Sequence, residues 1–135
     1  MQVRYAMSLN DTPRLERSTR QRAAIRDAIE QAGRPLLAQE VLELACQHVP
    51  RLGIATVYRN IKAMVEEGAI KQVLLPGENP RFELAGHDHH HHFQCNRCQK
   101  VFDIHSCPSD LMSLAPKGFK VESHDLTLYG RCKDC

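Results

Sequence analysis

Apolar residues recur at intervals of three and four in three stretches between residues 18 and 68, the spacing of one helix face. The first stretch can begin at Ser18, which forms a capping box with Gln21, and it ends at Gly33. The second ends at Pro50 and the third at Gly68. The pattern predicts three short helices, whose inward positions are Ile25, Ala28, Ile29, Ala32, Val41, Leu44, Ala45, Ile54, Val57, Ile61, Met64 and Val65.

Two runs with the composition of strands follow the third helix, over residues 69–75 and 81–84. The segment between them, Pro76-Gly77-Glu78-Asn79-Pro80, is dense in turn-forming residues. Three helices followed by a hairpin predict a winged helix-turn-helix domain over residues 1–84, with residues 1–17 as a mobile lead.

The pattern changes after residue 84, and we expect a hinge at about residues 84–88 and a second domain over residues 85–135. Residues 89–94 and 100–105 have the composition of strands, and residues 119–129 alternate with period two. Residues 109–115 predict a short amphipathic helix between them. The whole chain is therefore predicted to have an α+β fold.

Two Cys-x-x-Cys pairs flank the second domain: Cys95 with Cys98, and Cys132 with Cys135. Four thiolates suit tetrahedral zinc and leave no open coordination position, so this pattern predicts a structural site without catalysis. The alternatives are a disulfide framework and unrelated thiols. We expect a cytoplasmic protein, since no secretory signal and no long apolar run is present, and reduced thiols there favour metal.

A histidine tract lies directly before the first cysteine pair. Side chains in a strand alternate between faces, so His90 and His92 share one face while His89 and His91 share the other. One tract can thus supply two metal sites, and nearby carboxylates and a further imidazole can complete them. The predicted sets are Glu83, His90, His92 and Asp103 for one site, and His89, His91, Asp110 and His124 for the other. The alternative is a solvated histidine run or a purification tag.

Positive charge is concentrated at the front of the chain. The net charge is only +2, yet residues 1–26 hold six arginines against Asp11 and Glu16, a local charge of +4. The outer face of the third helix carries polar side chains that can contact bases and phosphates. These candidate DNA-binding residues are Thr56, Tyr58, Arg59, Asn60 and Lys62. The alternative is an ordinary solvated helix face.

These motifs together resemble the ferric uptake regulator family from about Arg20 onward. The resemblance rests on residues 53–60 (GIATVYRN), Arg81-Phe82-Glu83, the histidine tract with Cys95 and Cys98, and residues 128–135. It implies a homodimeric, metal-dependent repressor with a C-terminal α/β dimerisation domain, which binds AT-rich palindromic operators. It also implies that the Glu83 set is the regulatory site, the His89 set an additional site and the four cysteines the structural zinc site.

One departure from the family bears on the metal. Iron- and peroxide-sensing members usually supply a further histidine after the first helix, whereas this chain reads Gly33-Arg34-Pro35-Leu36 there. Two imidazoles and two carboxylates suit four-coordinate zinc better than five- or six-coordinate iron. We therefore expect a regulator of zinc uptake, with an iron-responsive or a peroxide- and manganese-responsive repressor as the alternative. Outside this class, the alternatives are a metal storage or delivery protein and a zinc hydrolase, although no general base with a supporting motif was found.

Overall fold

The first helix is longer than its apolar pattern indicates. A computed structural model describes residues 11–86 and 89–135, and α1 spans Asp11–Ala32. Residues 14–20 are exposed, so they carry no apolar periodicity, but they are mostly good helix formers. The predicted helix start at Ser18 is therefore wrong, because Ser18 lies inside α1 and caps nothing. The predicted mobile lead is helical over residues 11–17, and residues 1–10 lie outside the described part.

The N-terminal domain is a winged helix, as predicted. Helices α2 (Ala38–Ala45) and α3 (Ile54–Glu66) follow α1, and their apolar faces pack together around Val41, Val57 and Ile61. The strands are β1 (Leu36–Leu37), β2 (Ile70–Val73) and β3 (Arg81–Leu84), in the antiparallel order β1-β3-β2. Strand β1 was not predicted, because two residues are too few to show a period.

A second three-stranded sheet forms the C-terminal domain. Its strands are β4 (His91–Cys95), β5 (Val101–Ile104) and β6 (Thr127–Gly130), in the order β5-β4-β6. Strand β4 pairs antiparallel with β5 and parallel with β6. The mixed helix-and-sheet architecture confirms the predicted α+β class.

The segment between β5 and β6 is less regular than predicted. The expected helix over residues 109–115 is a single 3-10 turn at Leu111–Leu114, and the expected strand over residues 119–129 is reduced to β6. Phe119 is 72% exposed and Leu114 79% exposed, so their apolar positions form no buried face within the chain. Periodicity alone therefore predicted more regular secondary structure between residues 109 and 129 than the chain forms.

The two sheets touch through a small apolar cluster of Val73, Leu75 and Val101. Of the predicted hinge at residues 84–88, residues 87 and 88 lie outside the described part. None of the helices in the described residues is long and apolar enough to cross a membrane.

Candidate metal centres and nucleic-acid surface

The structure brings the four predicted thiols together in one group, the four-cysteine cluster (Cys95, Cys98, Cys132 and Cys135), with all Sγ atoms within 4.8 Å of one another. The parallel pairing of β4 with β6 sets Cys95 opposite Gly130, so both Cys-x-x-Cys turns leave the sheet at the same end. The Sγ atoms of Cys98 and Cys132 lie 3.9 Å apart. Four closely spaced thiols match a closed tetrahedral zinc site.

Backbone amides prepare this cluster for an ion. The N–H groups of Cys98, Cys132 and Arg97 point at the buried Sγ of Cys95, at 3.5, 3.4 and 3.4 Å. These donors lower the pKa of Cys95 to about 6, whereas the neighbouring Cys132 thiol and burial raise the pKa of Cys135 to about 12. The first thiolate therefore forms at Cys95 near neutral pH, and thiolate is the form that binds metal.

A second group spans the two domains and is called the junction cluster (Glu83, His90, His92 and Asp103). Glu83 belongs to β3 of the winged helix, whereas His92 and Asp103 are register partners on β4 and β5. Nε2 of His90 lies 2.9 Å from Glu83 Oε1 and 3.3 Å from Asp103 Oδ1. Nε2 of His92 lies 3.4 Å from the same Asp103 oxygen.

Three buried polar atoms of the junction cluster have no hydrogen-bond partner among the described residues: Glu83 Oε2, His92 Nε2 and Asp103 Oδ1. A buried polar atom without a partner costs free energy, and a divalent cation bound between these atoms would remove that cost. The donor set, two imidazoles and two carboxylates, fits such an ion.

The two carboxyl groups of the junction cluster titrate differently. Burial and the negative charge of Asp103 raise the pKa of Glu83. Burial also pushes the pKa of Asp103 upward, but the nearby imidazole of His92 and the charge of His90 outweigh it, so its pKa is lowered. Without a cation, Glu83 is the carboxyl group that takes up a proton first.

The third group lies on the other face of β4 and is called the thiol–histidine cluster (His89, His91, Cys107 and His124). The sequence prediction had Asp110 as the fourth member, whereas the structure places Cys107 beside the three imidazoles. The chain turns at Pro108, so Cys107 points at the imidazoles while Asp110 begins the 3-10 turn, where its carbonyl accepts the Ser113 N–H. The sequence prediction overlooked the Cys107 thiol, which lies three residues after β5. A thiol is a stronger ligand than a carboxylate for soft metals.

The atoms of the thiol–histidine cluster lie close together. Nε2 of His89 is 3.1 Å from Nε2 of both His91 and His124, and the Cys107 sulfur is 3.3 and 3.1 Å from those two rings. Burial lowers the pKa of His91, and the nearby rings of His89 and His124 add to this. His91 therefore stays neutral, as metal binding requires.

A basic groove runs between α1 and α3, with a volume of about 740 Å³. Thr56, Arg59 and Asn60 of the predicted DNA-binding set line it, while Tyr58 and Lys62 lie toward the wing beside Phe82. The Arg59 guanidinium donates to Thr56 Oγ1 at 3.1 Å, and the Asn60 amide donates to the Thr56 carbonyl at 2.9 Å. The remaining lining includes Arg14, Arg17 and Arg51.

The sequence prediction did not include Arg51, which lies in the turn three residues before α3. Arg14 and Arg17 belong to the basic front but also to the predicted mobile lead, where they would have no fixed position. On the continuous helix α1, Arg14 and Arg17 hold fixed positions along the groove, which suits contacts to a phosphate backbone.

The sequence profile of the ferric uptake regulator family matches residues 15–129. The chain belongs to the ferric uptake regulator family. This membership identifies it as a metal-responsive regulator of transcription, in agreement with the clusters and the groove described above.

Members with different assigned roles resemble the chain. The peroxide operon regulator of Bacillus subtilis is 30% identical over 122 residues, which cover 88% of this chain and 83% of that protein. The structure of FurB, a zinc uptake regulator from M. tuberculosis, superposes with a TM-score of 0.50 at 27% identity, covering 89% of this chain and 95% of that one. The Helicobacter pylori ferric uptake regulator, described as having three functional metal-binding sites, superposes with a TM-score of 0.65 at 22% identity, covering 98% and 97%. At that identity the last comparison shows the shared fold.

Proposed function

We propose that the chain is a metal-dependent DNA-binding repressor that acts as a homodimer, and that metal in the junction cluster switches it on. One observation carries this proposal: the cluster takes Glu83 from the winged helix and its other members from the C-terminal domain, and three of its buried atoms have no partner among the described residues. An ion shared by both domains can bind only one relative arrangement of them well.

An ion bound in the junction cluster would affect the position of the DNA-binding surface through β3. This strand pairs with β1 and β2, and the buried side chain of Phe82 packs it into the same core as α3. Fixing Glu83 relative to the C-terminal domain therefore also fixes α3 and the basic groove. In a homodimer, it would set the separation of two recognition helices, which has to match successive major grooves.

We further propose that zinc is the regulatory metal and that zinc-uptake genes, preceded by AT-rich palindromic operators, are the targets. Four donors with two imidazoles suit tetrahedral zinc. The connection from α1 to β1 contains no histidine and supplies no imidazole; its residues Gly33 and Arg34 line a cavity of about 280 Å³ beside Glu83 and Asp103.

A second candidate function, a peroxide-responsive repressor, is favoured by the 30% identity to the B. subtilis regulator. It would use iron(II) or manganese(II) in the same cluster. Oxygen-rich sites suit these metals, and the two carboxylates of the junction cluster provide such donors.

DNA binding under buffered metal tests both candidates. Duplexes enriched from random DNA by the metal-loaded protein serve as the operator, with a scrambled duplex as competitor, and fluorescence anisotropy reports binding. We expect operator binding that needs metal, weakens with salt and responds to zinc at the lowest free concentration. His90→Ala should abolish the response, whereas His48→Ala, an exposed histidine on the helical domain, should keep it.

The outcomes separate the candidates. A response to iron(II) or manganese(II) at lower free concentration than zinc, with release from DNA after hydrogen peroxide treatment of the iron form, would support the peroxide sensor instead. Operator binding that is unaffected by chelation and by His90→Ala would refute the metal-dependent repressor altogether.

A further inference from the structure

The thiol–histidine cluster joins three segments of the C-terminal domain. His89 and His91 lie at the start of β4, Cys107 lies in the loop after β5, and His124 precedes β6. None of these side chains belongs to the junction cluster or to the four-cysteine cluster. The family resemblance implies an additional metal site at these histidines. We propose that its fourth ligand is the thiolate of Cys107, not a carboxylate, and that this ligand makes it a tetrahedral zinc site.

The spacing of the ligand atoms fits such an ion. Nitrogen and sulfur atoms held ~2.0–2.1 and ~2.3 Å from a tetrahedral zinc lie about 3.3–3.6 Å from one another. The four short separations within the cluster are 3.1, 3.1, 3.3 and 3.1 Å. A small outward movement of the side chains therefore converts the observed arrangement into a coordination sphere.

Hydrogen bonds among these side chains cannot satisfy all of them. Nε2 of His89 faces two other Nε2 atoms at 3.1 Å, and a neutral imidazole nitrogen offers only one N–H or one lone pair. The rings of His91 and His124 therefore compete for a single hydrogen bond with His89. A cation among the three rings would instead form one bond to each of them.

His91 shows what metal binding has to change. The Leu126 N–H donates to its Nδ1 at 3.2 Å, which puts the proton of the neutral ring on Nε2, toward the Cys107 sulfur. An ion bound through Nε2 would require this proton on Nδ1, so Nδ1 would no longer accept the Leu126 N–H. The Cys107 thiol also loses its proton, so uptake of the ion releases protons to solvent.

The donor set determines the class of metal. Three imidazoles and a thiolate favour zinc and cobalt(II) over manganese(II), which prefers carboxylate oxygen. With Asp110 as the fourth ligand, this preference would be weaker. Cys107 is exposed, so an incoming ion can reach the thiol from solvent.

Cobalt(II) spectroscopy can test the proposal, because a thiolate bound to cobalt(II) gives an intense near-ultraviolet charge-transfer band. The protein is first loaded with one zinc per chain to fill the four-cysteine cluster and is then titrated with cobalt(II). Since the junction cluster contains no sulfur, a new band reports Cys107. Zinc retained per chain, measured by mass spectrometry, verifies that the four-cysteine cluster stays filled.

We expect the band in the unaltered protein and its loss in Cys107→Ser, together with about tenfold or greater weakening of cobalt(II) and zinc binding to this cluster. Cys46→Ser and Asp110→Asn should both keep the band. The first removes a thiol whose Sγ lies 3.5 Å from the Leu52 carbonyl, outside every cluster, and the second removes the carboxylate expected from sequence.

A band of equal intensity in Cys107→Ser and the unaltered protein would overturn the proposal. So would cobalt(II) binding that Asp110→Asn weakens and Cys107→Ser does not. These readouts use no DNA and no junction ligand, so they stand or fall independently of the proposed repressor function.

Discussion

Individual side chains determine how well each cluster is prepared to bind a metal ion. Cys95 is buried at the end of β4 and is surrounded by three amide donors, which lower its pKa to about 6. It is therefore the member of the four-cysteine cluster that is already ionised near neutral pH. On α3, the hydrogen bond from Arg59 to Thr56 holds the Arg59 guanidinium at the rim of the basic groove.

Replacing Cys95 with Ser should release one zinc per chain and destabilise the C-terminal domain, because binding of a structural zinc, ~10–16 kcal/mol in small zinc domains, is coupled to folding. Metal analysis and thermal unfolding measure the two effects. Cys46→Ser is the matched control, since it removes a half-buried thiol that lies outside the clusters. Zinc content and melting temperature equal to those of the unaltered protein would contradict this prediction.

Replacing Arg59 with Ala should reduce the preference for operator over random DNA by ~1–3 kcal/mol, as expected for the loss of a base contact. Arg17, on the α1 side of the same groove, provides the comparison. Arg17→Ala should weaken binding to both DNAs equally and lower the salt dependence, because a phosphate contact carries no sequence information. Competition titrations at two salt concentrations distinguish the roles, and an equal loss on both DNAs in Arg59→Ala would assign Arg59 to phosphate.

At the scale of elements, β3 links the two domains at both of its ends. Glu83 near one end joins the junction cluster, while Arg81 at the other end is 2% exposed and donates to the Gln99 carbonyl at 2.9 Å, in the turn after Cys98. Arg81 also pairs with Glu78 of the wing turn, which accepts a further hydrogen bond from Gln94 of β4. A polar network thus attaches the wing to the turn that carries Cys95 and Cys98.

Replacing Arg81 with Met should lower the free energy of unfolding by about 1–3 kcal/mol, since the Gln99 carbonyl loses its charged donor inside the protein. Arg97→Met, which changes an exposed arginine in the same turn, is the control and should have little effect. Urea unfolding measures both variants. Equal stability of the two variants would show that the Arg81 network does not hold the wing in place.

The elements also show how far the sequence could be interpreted. Helices α2 and α3 were predictable because their buried residues repeat at helical spacing, and the split of His90 and His92 from His89 and His91 followed from the alternation of side chains in a strand. The start of α1 was not predictable, because residues 14–20 are exposed and show no apolar period. The position of Cys107, rather than Asp110, beside the imidazoles was not predictable either. It depends on the turn of the chain at Pro108, and periodic patterns do not show where such a turn occurs.

At the scale of the whole molecule, two three-stranded sheets meet through the apolar contact of Val73 and Leu75 with Val101, through the Arg81 network and through the junction cluster. The apolar contact is small, so the relative position of the domains depends strongly on the charged residues. Two buried carboxyl groups facing each other across the boundary repel when both are ionised, and a divalent cation converts that repulsion into attraction. The domain boundary is therefore the place where metal should change the dynamics most.

Metal binding at the junction cluster should slow amide hydrogen exchange in β3 and β5, because the ion links Glu83 to Asp103 and suppresses opening between the sheets. Exchange measured by mass spectrometry with and without buffered zinc tests this prediction. Glu83→Gln should abolish the protection for two reasons. A neutral amide binds the cation weakly, and without the Glu83 charge there is no repulsion from Asp103 for the cation to offset. His124→Ala, which alters only the thiol–histidine cluster, should keep the protection in β3. If zinc protects β3 equally in Glu83→Gln and in the unaltered protein, the ion does not act by joining the domains at this cluster.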